Sequence, residues 1–285
     1  MIRLAAAALA LFAGTADAAI VLRDDLGRSV RLERPAQRIV TLAPFLTELA
    51  FSAGAGAQVV GVSAHSDFPM EARTLPQVAS AVALSVESVA ALRPDLVIAW
   101  QDSIRPEDVE RLAPFGIVVF VAQARRLDDA PRLLEAIGQL AGTDVAKLAG
   151  DYRAALSLLR TQHQDVRRLP VLLEIWHRPL TTIAGSHWMN EALSLCGADN
   201  AFSDLPGVAP VIPWELAYAR DPSVIVGAGS APSAAVFAAN WSERASLRAV
   251  KRERTVFVDA DTIQRPTLRL AEGVAQLCAG LDRLR

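Results

Sequence analysis

Apolar and polar positions along the chain alternate between two periods. Residues 20–32 hold two short runs of period two about a turn at Asp25 to Gly27, which predicts a β-hairpin ended by Pro35. Beyond it, apolar runs at 38–42, 59–62, 95–100 and 118–121 read as buried strands. Segments of helical spacing lie between them at 44–53, 86–92 and 106–115, the first stopped by Gly54 to Gly56. Strands that alternate with helices predict parallel pairing in an α/β layer.

The middle of the chain differs. Residues 128–140 read as one helix. Thr143-Asp144 then offers an N-cap to a longer one, in which Val145, Leu148, Tyr152, Leu156 and Leu159 share a face. Carried to about residue 167, this helix is ~36 Å long at 1.5 Å per residue, enough to bridge two lobes. A long surface helix of a single domain is the alternative. After Pro170 the α/β pattern resumes, with strands at 171–176, 224–226 and 256–258. Helices are expected at 189–195, ended by Gly197, and at 268–281.

A weak internal repeat favours two lobes. Glu87 precedes Pro94-Asp-Leu-Val-Ile98 by seven residues, and Glu215 precedes Pro222-Ser-Val-Ile-Val226 by the same seven. Upstream, Thr41-Leu-Ala43 leads to Glu48 and, six residues on, Gly54. Thr182-Ile-Ala184 leads to Glu191 and, six residues on, Gly197. The order is the same in both halves, as a duplicated unit requires. The predicted fold is therefore α/β: two Rossmann-like lobes joined by a long rigid helix. The expected divisions are a hairpin at 19–34, a first lobe at 35–126, linking helices at 127–168 and a second lobe at 169–285. The interface between lobes is where a ligand pocket is expected.

The first residues set the compartment. Met1-Ile2-Arg3 is basic, residues 4–13 are apolar, and Ala16-Asp17-Ala18 has the small-x-small form of a cleavage site. Residues 1–18 read as a secretory signal peptide, since a span needs about 20 apolar residues. A buried N-terminal helix is the alternative. A soluble periplasmic product is expected, with no lipid anchor because no Cys lies near the cleavage point. The net charge of −2 provides no polybasic footprint for nucleic acid. Cys196 and Cys278 are the two cysteines. In an oxidising compartment an even pair favours a disulfide, worth up to ~4 kcal/mol for so long a loop. Two unpaired buried thiols remain open, because sequence does not supply the Cα separation.

The candidate chemistry is sparse. There is no Gly-x-Ser-x-Gly elbow, phosphate-cradling Gly-rich loop or His-Glu-x-x-His motif. Of the four His residues, His163 falls in the polar tail of the long helix and is expected in solvent. His65, His177 and His187 lack the local spacing of a metal site, and Ser63, His65 and Asp67 do not form a relay by proximity alone. No enzymatic activity is expected. Trp100, Trp176, Trp188 and Trp214 fall at or near predicted strand and helix ends. Strand carboxyl ends form the ligand crevice of open α/β sheets, and indole faces there suit a large, flat, partly apolar ligand. Core packing is the alternative for any single Trp. Glu87 and Glu215, at equivalent repeat positions, would grip two basic patches of a symmetric partner, or else offset helix dipoles.

The segments Arg38-Ile-Val-Thr-Leu-Ala-Pro-Phe-Leu-Thr-Glu48, Gly61-Val-Ser-Ala-His-Ser-Asp-Phe-Pro69 and Leu92-Arg-Pro-Asp-Leu-Val-Ile-Ala-Trp100 resemble the helical-backbone class of periplasmic binding proteins. That class serves ABC importers of cobalamin, ferric siderophores, haem and some metals. The likeness is strongest to its cobalamin-binding branch and covers nearly all of the chain after residue 18, while the hairpin looks more like the siderophore and haem branches. A monomer is expected. The resemblance implies a protein that captures a corrinoid such as vitamin B12, has no cofactor of its own, and delivers its cargo to importer membrane subunits. It implies that Cys196 pairs with Cys278, and that Glu87 and Glu215 dock onto arginines of the importer. It also implies ligand contacts from Phe45, Trp100, Asp261 and Arg265, with Trp176, Trp188 and Trp214 as further aromatic candidates. His65 stands where the cobalamin branch has Tyr, Ala81 where it has Trp, and Leu180 where it has an aromatic. An imidazole at His65 would offer an axial ligand to the cobalt of a corrinoid or the iron of haem. A haem or ferric-siderophore cargo is the second expectation, and a secreted metal-dependent hydrolase the reading from another class.

Overall fold

Two parallel β-sheets organise the chain. In the computed structural model, residues 19–80, 83–229 and 231–285 are described. The expected signal peptide and Ala81 lie outside them. The predicted hairpin is formed by β1 (Ile20–Arg23) and β2 (Ser29–Leu32), paired antiparallel. Asp24 closes its turn by accepting from the backbone of Leu26 and Arg28 and from the Arg28 guanidinium.

The first sheet contains β3 (Ile39–Thr41), β4 (Val59–Ser63), β5 (Gln77–Ala79), β6 (Leu96–Trp100) and β7 (Val118–Ala122), in the order β5-β4-β3-β6-β7. The second contains β8 (Leu169–Glu174), β9 (Ala198–Asn200), β10 (Val224–Ala228) and β11 (Thr255–Val258), in the order β11-β10-β8-β9. All pairs within both sheets are parallel. In each lobe the opening strand has the second on one side and a later one on the other, so the two halves share a topology. β5 and β9 escaped the sequence pattern because each has three residues and carries polar side chains such as Gln77 or Asp199.

Successive side chains on a strand point to opposite faces. Ile39, Leu96 and Ile98 enter the apolar cluster on one face of the first sheet, and Val40, Val97 and Ala99 the cluster on the other. In the second sheet, Val171, Leu173 and Val224 enter one cluster, and Leu172 and Ile225 the opposite one. Burial on both faces explains why these strands read as continuous apolar runs. The first lobe is covered by α1 (Pro44–Ser52), α2 (Val86–Ala91) and α3 (Pro106–Leu112).

The connection consists of α4 (Asp129–Ala141) and α5 (Ala146–His163). Val145 and Ala149 pack into the first-lobe core, while Tyr152 and Leu156 pack into the second. The bridging helix is thus real but shorter than expected: it spans 18 residues, ~27 Å at 1.5 Å per residue. Asp144 accepts from the backbone N–H of Ala146, whereas the buried Thr143 hydroxyl has no partner. His163 is buried, not in solvent. Its ring nitrogens meet the Leu159 carbonyl at 2.7 Å and the Asp282 carboxylate at 3.0 Å, because the helix end packs against the chain's last helix.

The second lobe carries α6 (Trp188–Leu195), α7 (Trp214–Arg220), α8 (Ala234–Trp241), α9 (Arg248–Lys251), α10 (Ala260–Ile263) and α11 (Leu270–Asp282). Cys196, just beyond α6, is bonded to Cys278 on α11 with a Cα separation of 4.7 Å. That closes the choice between disulfide and free thiols.

The two glutamates of the upstream repeat contact the opposite half of the chain. Glu48 on α1 is buried and accepts two hydrogen bonds from the Arg269 guanidinium, at 2.7 and 2.6 Å. Arg269 belongs to the second lobe, and its guanidinium also lies over the Phe68 ring at 4.0 Å. Glu191 on α6 accepts from Arg126 at 2.9 Å and from the backbone N–H of Leu127 at 2.8 Å, where the chain leaves the first lobe. Removing one member of a buried pair strands the other charge at a cost of ~3–5 kcal/mol. Arg269→Ala is expected to lower the unfolding free energy by about 3 kcal/mol in a urea titration.

Candidate functional site

The carboxyl ends of both sheets meet at a cleft. Phe45, at the start of α1, packs edge-on against Trp100, the last residue of β6, with ring centroids 5.8 Å apart. From the second lobe come Trp188, at the start of α6, and the loop that carries Gln264, Arg265 and Pro266. Together they enclose a largely apolar cavity of about 170 Å3. A second cavity of about 320 Å3 shares the two Trp residues and adds Asp102, Arg125 and His187. Trp188 is held in place by its indole N–H, which donates to the Ile263 carbonyl at 3.3 Å.

Charged groups frame this aromatic floor. Arg265 reaches across the cleft to Asp67 of the first lobe at 2.7 Å and meets Asp261 at 3.1 Å. The Arg265 guanidinium holds the Asp67 carboxyl below its ordinary pKa. Arg125 pairs with Asp102 at 2.9 Å on the first-lobe wall. His187 is the N-cap of α6: its Nδ1 accepts from the backbone N–H of Met189 at 3.2 Å, and its ring lies 3.8 Å from that of Trp188. That acceptor role requires a neutral ring with the proton on Nε2. Burial, and then the nearby Arg125 charge, push its pKa down to about 4.

The expected site residues are thus only partly brought together. Phe45, Trp100, Trp188 and Arg265 line the cleft, and Asp261 supports Arg265. His65 is exposed at φ 63 on the loop after β4, two residues from Asp67, and lines neither cavity. Trp176 is also outside both; it is 60% exposed on the loop after β8, with its N–H on the Arg178 carbonyl. Trp214 is drawn away from the cleft into a cluster with His177 and Trp241, under the Arg244 guanidinium. In that cluster His177 meets the buried Glu174 at 3.2 Å. Leu180 is core. Asp102 and Arg125 were missed, although each lies just beyond the carboxyl end of a strand, where crevice residues are expected. Among the described residues no cluster of three or more His, Cys, Asp or Glu could hold a metal ion.

Glu87 and Glu215 are exposed and each is the second residue of a short helix, α2 before β6 and α7 before β10. These are equivalent places in the two lobes. Glu87 also meets Arg111 at 3.3 Å.

Residues 39–262 match the family model described as periplasmic binding protein. The chain belongs to this family. It is 34% identical over 249 residues to a vitamin B12-binding protein of Vibrio cholerae, covering 87% of this chain and 90% of that one. The crystal structure of a periplasmic vitamin B12-binding protein of Vibrio cholerae superimposes with a TM-score of 0.79 at 34% identity, over 87% of this chain and 97% of that one. A periplasmic haem-binding protein from Pseudomonas aeruginosa superimposes with a TM-score of 0.74 at 27% identity, over 86% and 92% of the two chains. For this periplasmic binding protein the cleft between lobes is the candidate site, and His187 gives it a measurable signature. An unfolded His titrates near 6.5, so between about pH 4 and 6.5 the unfolded chain binds more protons. His187 therefore contributes stability that is present above pH 6.5 and lost as pH falls toward 4. Between pH 7.5 and 5, the wild type is expected to lose about 2 kcal/mol more unfolding free energy than His187→Asn, which keeps a capping side chain. Urea titrations at the two pH values measure the difference.

Proposed function

We propose that this chain is exported to the periplasm, captures a corrinoid of the vitamin B12 type in the cleft, and hands it to an ABC importer without chemical change. The observation that carries this reading is the convergence of Phe45 and Trp100 from one lobe with Trp188 and Arg265 from the other. Flat aromatic surfaces with a few charged groups suit a broad macrocycle that bears amide side chains. The identity to vitamin B12-binding relatives along nearly their whole length supports the same cargo. One cavity, about 170 Å3, is below the ~300–1,000 Å3 typical of small-molecule pockets, and the other, about 320 Å3, is at its lower end. Entry of a corrinoid therefore parts the Asp67–Arg265 ion pair, which frees Arg265 and Asp261 for the ligand. The protein acts as a monomer, and its cargo is its only bound group.

A haem cargo is the second reading, favoured by the likeness to the Pseudomonas aeruginosa haem-binding protein. Calorimetry with cyanocobalamin, haem and a ferric siderophore separates them. Cyanocobalamin is expected to bind, and Trp100→Ala to weaken it about 10- to 100-fold through loss of one buried aromatic face. Tighter binding of haem, with no heat from cyanocobalamin, overturns the corrinoid assignment.

Glu87 and Glu215 are proposed to dock onto basic patches of two importer subunits, one per lobe. Exposed carboxylates at matched positions steer and register such an encounter. The double variant Glu87→Ala/Glu215→Ala is expected to weaken association with the reconstituted importer by about tenfold or more while leaving cyanocobalamin affinity unchanged. A collapse of ligand binding in that variant would instead place these residues in the cleft.

A further inference from the structure

At the end of the second lobe opposite the cleft, β8, β10 and β11 begin. Leu169 opens β8, Ser223 precedes β10 and Arg254 precedes β11. A cavity of about 190 Å3 lies between these strand starts, and Arg167, Arg248, Arg252, Arg254 and Arg285 all line it. No acidic side chain does. Two of the five guanidinium groups have carboxylate partners outside the cavity: Arg248 pairs with Asp221 at 3.4 Å, and Arg285 pairs with Asp282. Arg285 also donates to the Arg167 carbonyl at 3.1 Å, which brings the chain's last helix against the cavity wall. Arg167, Arg252 and Arg254 form no ion pair among the described residues.

Arg254 is the centre of the cluster. Its Nε donates to the Ser223 carbonyl at 2.9 Å, which anchors the guanidinium plane and leaves its terminal nitrogens for a ligand. Burial, and then the charges of Arg252, Arg167 and Arg248, hold its pKa below the ordinary arginine value. An arrangement of like charges facing one another is unfavourable until a counter-charge enters. Guanidinium forks match the spacing of oxygens on a tetrahedral oxyanion and bind it by charge-assisted hydrogen bonds.

We infer that this cavity is a binding site for a phosphate-class oxyanion, separate from the cleft and independent of its cargo. The volume admits a single phosphate group and excludes a macrocycle. Two sources present that chemistry: free inorganic phosphate and the headgroup of an anionic phospholipid.

The test uses the purified protein, Arg254→Gln, and the double variant Arg167→Gln/Arg252→Gln, whose second position is on the exposed rim. Each is titrated with sodium phosphate against sodium chloride at equal ionic strength, with the melting temperature as readout. Each is also mixed with phosphatidylglycerol vesicles and, as a control, phosphatidylcholine vesicles. The wild type is expected to respond to phosphate with a dissociation constant about tenfold or more below that of either variant. Wild-type binding to phosphatidylglycerol vesicles that both variants lose assigns the site to a lipid headgroup; a phosphate response without vesicle binding assigns it to the free ion. Equal phosphate responses in all three proteins overturn the inference. So does vesicle binding that the substitutions leave unchanged, or the absence of both responses. Should Arg254→Gln fail to fold, the double variant decides alone.

Discussion

The buried ion pair between Glu48 and Arg269 is the contact on which the cleft depends. It ties α1 of the first lobe to the start of α11 in the second, and Phe68 covers the guanidinium. Phe45 lies three residues before Glu48, and Arg265 four residues before Arg269. The same two segments that are clamped together therefore supply the cleft with an aromatic wall and a charge. A buried pair gains little net stability over an apolar substitute, but it strongly disfavours arrangements that separate its members. Its effect here is on register: it sets how the lobes face each other.

Glu191 supplies a matching tie on the other side, through Arg126 and the Leu127 backbone. The Tyr152 hydroxyl donates to the Leu127 carbonyl at 2.8 Å, so the bridging helix is locked to the same junction. A packed helix and two charged contacts thus join the lobes. The Asp67–Arg265 pair at the cleft is more exposed than Glu48–Arg269, and so is better screened by water.

The wider charge pattern divides by location. Glu87 and Glu215 face solvent on equivalent helices. Glu48 is buried and paired with Arg269 across the lobes, while the half-exposed Glu191 holds Arg126 and the Leu127 backbone. The sequence repeat contains both pairs at equivalent spacing, and nothing in the spacing separates them. Position does: Glu48 is enclosed and must find a cation, and Glu191 lies where the chain leaves the first lobe and holds a backbone N–H.

Much of the architecture was legible from the chain alone. Continuous apolar runs marked strands covered on both faces, and the ordered Glu–Pro and Glu–Gly spacings marked a duplication that the shared sheet topology repeats. Short elements such as β5, β9 and α10 were illegible because three or four residues carry no period. Trp100 could be placed at a crevice because it ends an apolar strand. Trp188 and Trp214, by contrast, look alike in sequence, each opening a helix in the second lobe. Only the tertiary structure sent the first to the cleft and the second into a cluster with His177 and Trp241. His163 was misjudged for the same reason, since the partner that buries it, Asp282, lies 119 residues away. Local periodicity and turn chemistry determine elements and their order. Which faces meet is decided by contacts between distant segments, whose energies no local window of sequence contains.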